Sequence, residues 1–395
     1  MLRQIPIIFL RRRTYTRAVN VERWALSPEV LHLNHGSYGG CPASVIAEAT
    51  RLRTELEAAP MKFFGLAWQP LLERAREALA AFGGAPAERL VFVPNATHGV
   101  AIAIASCRLD VGDEIVTTNH TYRAVRNQLA RLAAARGAHL TTVAIGLPFD
   151  PDAMVAAIEA AVTPRTRLVV LDHITSPTAL IFPLERIVPA LVARGIQVVI
   201  DGAHAPGQIA LDISALGATY YAGNNHKWLC APKATGFLVA HGPAAPLVTS
   251  HGASPEYGPA NRLHAELDWS GTGDPTPHLC VPIAIAAVAD WPATRARNHA
   301  LVLALRDRVI AALGGDERHH LAPATSLGCM AAIPVRIAGA PLALTQGLLR
   351  DNVELPVVDW PGQPLVRISA HLYNDEADAE PLIAKLRELD ITLAP

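Results

Sequence analysis

The chain has 395 residues, 51% of them hydrophobic and 17% charged, and its 34 basic and 35 acidic side chains leave a formal net charge of −1. That length exceeds one ordinary core and implies a large domain with a smaller companion; the composition is that of a well-buried globular enzyme, not of a disordered or solenoid chain. The balance of charge offers nothing to attract nucleic acid or an acidic membrane, which points to a small-molecule substrate.

Met1 to Arg13 carries an apolar patch followed by three arginines, the reverse of a secretory signal and too short to cross a bilayer. Residues 1–25 read as a basic N-terminal tail, with an Arg-rich organelle presequence as the alternative. The five cysteines (Cys41, Cys107, Cys230, Cys280 and Cys329) are odd in number, far apart and without a C-x-x-C pair. That argues against a disulfide framework or a zinc site and for a reducing, cytoplasmic compartment. Sixteen scattered histidines show no ligand spacing, so no metal site is expected.

In chain order, Leu31 to Pro42 is a turn-rich segment closing a short apolar strand. Leu71, Leu72, Ala75, Ala78, Leu79 and Phe82 recur at helical spacing over Trp68–Phe82, and Gly83-Gly84 stops that helix. Leu90–Val93 reads as a strand, Asn95–Gly99 as a turn and Val100–Cys107 as a helix; such a junction presents free amides to an anion. Asp113–Thr117 is the next strand, and Asn119–Arg123 leads into a helix reaching about Arg136. Leu168 begins an apolar strand that ends in a polar rim, with Asp172, His173, Thr175 and Ser176 on one edge. A helix over Glu185–Arg194 and a β-branched strand over Ile196–Ile200 complete a βαβ unit. Past Val281 the pattern changes to helices (Arg295–Leu313, Leu342–Leu349, Asp375–Leu389) between short strands. Leu365–Asn374 alternates in strand fashion, with Arg367 and Ser369 on the face opposite Val366, Ile368 and Ala370. An arginine fork suits a carboxylate.

Asp201 stands at the carboxyl end of the strand Ile196–Ile200, where open α/β sheets bind ligands. Lys227 follows the next short apolar segment, Ala218–Ala222, so both side chains can face one cleft. A lysine for a Schiff base and an acid for a pyridinium nitrogen are what pyridoxal phosphate (PLP) chemistry requires. Of the four lysines, Lys62 lies in an early turn, Lys385 in the C-terminal helix and Lys233 where the strand Thr235–Ala240 begins; Lys227 remains.

Asp201–Gly207 and Asn225–Pro232 together resemble the class V aminotransferase superfamily of fold-type I PLP enzymes, in its isopenicillin N epimerase-like branch, and the similarity runs from about Leu33 to Tyr373. The resemblance implies an α/β fold with a mainly parallel central sheet in a large PLP-binding domain (26–280), whose N-terminal part packs on a smaller C-terminal α+β domain (281–395). It implies a homodimer with shared active sites and an amino-acid substrate. It assigns Lys227 to catalysis; Asn34, His35, Ser37 and Arg367 to the substrate; and Ala96, Thr97, Asn224 and His226 to the cofactor phosphate. Tyr122, with His120 behind it, would stack on the ring, Asp201 meet the ring nitrogen, His204 the ring oxygen, and Thr272 the neighbouring subunit's phosphate. Gly273 stands where the family usually has an arginine.

These residues imply removal of an α-proton, with three continuations: epimerisation, which the branch favours, loss of a β-substituent, or transamination. Persulfide-forming desulfuration is the weakest, because Val353–Pro364 holds no cysteine. A non-catalytic binding domain is the rival of another class, and the joint presence of Lys227, Asp201, His204 and Arg367 speaks against it.

Overall fold

The computed structural model describes residues 23–241 and 262–394; the expected tail lies outside them up to residue 22. In chain order the strands are β1 (Leu31–His32), β2 (Leu90–Val93), β3 (Glu114–Thr118), β4 (His139–Val143), β5 (Thr166–Asp172), β6 (Gln197–Gly202) and β7 (Tyr220–Asn224). They continue with β8 (Gly236–Ala240), β9 (Met330–Arg336), β10 (Val353–Glu354), β11 (Val357–Val358), β12 (Leu365–Ser369) and β13 (Thr392–Leu393).

Seven of them form one sheet in the order β2-β8-β7-β6-β5-β3-β4, in which β8 alone runs against its neighbours. From Leu168 in β5 and Val198 in β6 onward the central strands are buried, as a parallel sheet covered on both faces requires, which is why Val169-Val170-Leu171 and Val198-Val199-Ile200 show no polar alternation. One face packs against the helix Ala96–Ser106, where a Cβ on Gly99 would meet the Ala222 Cβ at 3.0 Å; the glycine lets helix and sheet approach. The helix Leu184–Ala193 buries Leu184, Ile187, Val188 and Leu191 beside β6. The expected helix Trp68–Phe82 is found over Trp68–Gly83, capped by Gly84 in the left-handed region. The long helix expected from Arg295 begins earlier, at Trp291, where the Asp290 side chain accepts from the Ala293 N–H and a proline fills the first turn.

A second sheet, β11-β12-β9-β13, is antiparallel. The segment before the large sheet is tied twice to the C-terminal part of the chain. Strand β1 pairs with β10, and the Ser369 N–H donates to the Leu33 carbonyl. Asn34 to Ser37 are thereby fixed beside Arg367 of β12. Among the described residues no single helix is long and apolar enough to cross a membrane.

Candidate active site

The carboxyl ends of β3, β5, β6 and β7 open into a cavity of about 580 Å³ lined by Ser37, Thr97, Tyr122, Asp172, Ser176, Asp201, His204, Asn224, His226, Lys227 and Lys233, among others. Strand register explains the gathering: Asp172 lies opposite Asp201 and Asp201 opposite Ala222, so the polar residues ending three adjacent apolar strands share one rim.

Lys227 is half-buried, and desolvation of its amine, reinforced by the Arg367 guanidinium and opposed by Asp201, draws its pKa from the ordinary value down to about 7. Its Nζ lies 3.0 Å from His204 Nε2. Burial raises the pKa of both Asp172 and Asp201, Asp201 adding to the effect at Asp172 and Lys227 opposing it at Asp201. Asp172 accepts from the Thr121 hydroxyl at 2.8 Å and the Tyr122 N–H at 3.3 Å. That contact anchors the start of the helix Arg123–Arg136 and holds Tyr122, 43% exposed, at the cavity wall.

Arg367 is 4% exposed, with no carboxylate among the described residues at ion-pair distance. It donates to the Ser176 carbonyl, to Asn34 Oδ1 at 3.2 Å and to Ser37 Oγ at 3.0 Å, while its Nε has no partner. Burial lowers its pKa to about 10. A buried guanidinium with an idle donor and no counter-ion is a site for an anion from outside the chain.

The helix Ala96–Ser106 points its start at the opposite end of the cavity. Asn95 is its cap, accepting from the His98 N–H at 2.9 Å. The Ala96 N–H is occupied by Asn224 Oδ1 at 2.8 Å, so of the two residues expected at a phosphate it is Thr97 that lines the cavity, together with Asn224 itself. His226 lines it too; burial pulls its pKa down to about 4, and its Nδ1 is 3.0 Å from the Thr235 carbonyl.

Other expected residues lie elsewhere. His35, expected at the substrate, is 2% exposed beneath the Lys227 loop: its Nε2 is 3.1 Å from the Lys227 carbonyl and its Nδ1 accepts from the Gly40 N–H. It stacks on His371 with centroids 4.1 Å apart, and Cys230 Sγ is 3.8 Å from the first ring and 3.6 Å from the second. His120, the reserve for ring stacking, is a core histidine with both nitrogens engaged, by Thr178 and the Ile145 carbonyl, and its ring against Trp360. Thr175 is buried in a turn with Thr178 and Leu180. Thr272 is exposed and outside the cavity. Asp172 as an anchor and Lys233 as a second lysine in the cavity were not singled out for those parts; strand-end position was the available signal for the first, and nothing local marks the second.

A covered parallel sheet with a half-buried lysine and paired carboxyls at its carboxyl edge defines an α/β cofactor enzyme. The class V aminotransferase family model matches residues 41–253. Isopenicillin N epimerases from Amycolatopsis lactamdurans and Streptomyces clavuligerus are each 36% identical over 93% of this chain, covering 97% and 96% of their own lengths. A putative L-cysteine desulfhydrase 2 from Oryza sativa subsp. japonica is 34% identical over 72% of the chain and 64% of its own length. In fold the chain is similar to the cystine C-S lyase C-DES solved with its reaction product cysteine persulfide, with a TM-score of 0.77 at 21% identity, covering 91% of this chain and 98% of that one. The chain belongs to the class V aminotransferase family, has its fold-type I architecture and is a PLP-dependent enzyme. The residues present fit that cofactor: a half-buried amine whose pKa is drawn down to about 7, carboxyls beside it, a helix start and a threonine for an anion, and a guanidinium with a spare donor.

Proposed function

We propose that the protein removes the α-proton of an amino acid and returns it to give the epimer, in the manner named for its isopenicillin N epimerase relatives. The observation that carries this reading is the Lys227 amine, brought to a pKa of about 7 beside Asp201 in a cavity whose wall residues Ser37 and Ser176 are hydrogen-bonded to the buried Arg367. A base is most effective when its pKa is near the working pH.

Lys227 would hold the cofactor. Bound there, PLP would supply an electron sink for the pair left by the broken Cα–H bond. Asp201 would serve the ring nitrogen and His204 the ring oxygen. Thr97, Asn224 and His226 would hold the phosphate, Ala96 placing the helix start through its bond to Asn224, and Tyr122 would cover the ring. Arg367, braced by Asn34, Ser37 and the Ser176 carbonyl, takes the substrate carboxylate and so fixes which Cα bond faces Lys227. His35 acts from beneath by bonding the Lys227 carbonyl. The released Lys227 amine accepts the α-proton and gives one back.

The site is proposed to be shared in a homodimer, since Thr272 is exposed and outside its own cavity. Residues 26–280 and 281–395 are proposed as the large and small domains. Five free, buried cysteines fit a reducing, cytoplasmic setting. Loss of a β-substituent is the second reading, favoured by the 34% identity to the desulfhydrase. Incubation with an amino-acid panel in deuterated water, following α-deuteration, chirality and keto acid separately, tests both. Inverted, α-deuterated amino acid is the expected result. Keto acid in step with amino transfer to an added acceptor, without inverted or eliminated product, sinks them together.

A further inference from the structure

Trp228, immediately after Lys227, is 1% exposed, with its ring against His35 at 4.8 Å between centroids. Its indole N–H donates to His204 Nδ1 at 3.4 Å. An indole nitrogen can only donate, so Nδ1 of His204 carries the lone pair. Burial holds the His204 pKa well below its ordinary value, with Lys227 and Arg367 acting in the same direction, so the ring is neutral. A neutral imidazole with its lone pair on Nδ1 has its proton on Nε2. That N–H is the group 3.0 Å from Lys227 Nζ, and it needs a lone pair there. The ammonium form of Lys227 has none to offer.

We propose that Trp228 is a positioning residue: its indole N–H locks His204 as the Nε2–H tautomer, which keeps the Lys227 amine unprotonated before the cofactor arrives and turns the same donor to the ring oxygen afterwards. The second half rests on the cofactor placement proposed above. The other charged and titratable groups around Lys227 are Asp201 on β6 with Asp172 beside it on β5, Arg367 on β12, His226 on the same loop, and Lys233 and Tyr122 on the cavity wall. Replacing the indole leaves all of them in place. Losing the indole donor frees His204 to carry its proton on Nδ1, and Nε2 then accepts from an ammonium.

The test is the pH profile of PLP uptake, followed by absorbance, in full-length protein stripped of cofactor: wild type, Trp228→Phe, His204→Gln and the double variant. The wild-type midpoint is expected near 7. Trp228→Phe moves it up by about one unit, the size of one net hydrogen bond, so uptake at pH 7 is about fivefold slower and rejoins wild type above about pH 9. A glutamine amide offers an N–H without a choice of tautomer, so in the His204→Gln background the tryptophan change leaves the midpoint where it is. An unshifted midpoint in folded Trp228→Phe overturns the proposal, as does an equal shift in both backgrounds, which is what mere packing predicts. If Trp228→Phe does not fold, Trp228→benzothienylalanine keeps the ring shape without the N–H and is held to the same outcomes. Attachment of the cofactor away from Lys227 in wild type overturns instead the reading on which this one stands.

Discussion

Arg367→Lys keeps a positive charge on β12 and removes the fork. In the wild type the guanidinium uses Nη1 on Ser176, Nη2 on Asn34 and Ser37, and leaves Nε free in a buried setting. A lysine ammonium has three donors on one atom and cannot span both walls while still meeting a carboxylate with two parallel bonds. The loss is at least one charge-assisted hydrogen bond, about 1.5–3 kcal/mol. At 1.36 kcal/mol per decade that is a rise of roughly 10- to 150-fold in the apparent Kd for an amino acid. The assay is a spectral titration of the cofactor-loaded protein with an amino acid and, in parallel, with the amine that lacks its carboxylate. The variant should weaken the first and leave the second nearly unchanged. Equal weakening of both, or none, would refute the carboxylate role.

Removing the desolvated Lys227 amine should stabilise the cofactor-free chain. Unfolded Lys227 has its ordinary value of 10.5 and the folded group about 7, so above pH 7 the unfolded state binds the extra proton and stability rises with pH until about 10.5. Lys227→Met is expected to add ~2–4 kcal/mol at pH 7, an order-of-magnitude figure from that shift, and to flatten the rise, as read by urea unfolding. A variant as stable as wild type at both pH 7 and pH 10 would deny the burial cost. Thr272→Ala should weaken cofactor retention with the fold intact; a fully active wild-type monomer in sedimentation would rule out the shared site.

Much of this site was legible because its residues end strands, and buried strands betray themselves by β-branched runs. Ile196–Ile200 and Leu168 onward foretold β6 and β5, and with them the rim bearing Asp201 and Asp172. Arg367 was visible by alternation along β12, although β12 is buried on both faces, which alternation alone does not convey. What stayed hidden depends on which side of a ring or backbone faces inward. His35 and His120 sit in segments rich in polar residues, yet tertiary packing turns both into the interior. The Ala96 amide was expected to be free, and Asn224, from the far end of β7, takes it. The Trp228–His204–Lys227 chain crosses two loops, and no local spacing announces it.

The account stands most directly on Lys227 as the residue that carries the cofactor. Borohydride reduction of the cofactor-loaded protein, followed by proteolysis and peptide mapping, reads this out. The pyridoxyl group is predicted on Lys227 alone. Lys233 lines the same cavity, its Nζ donating to the Gly39 carbonyl at 3.0 Å, and is the natural competitor. A pyridoxyl group on Lys233, or on no lysine, would contradict the account.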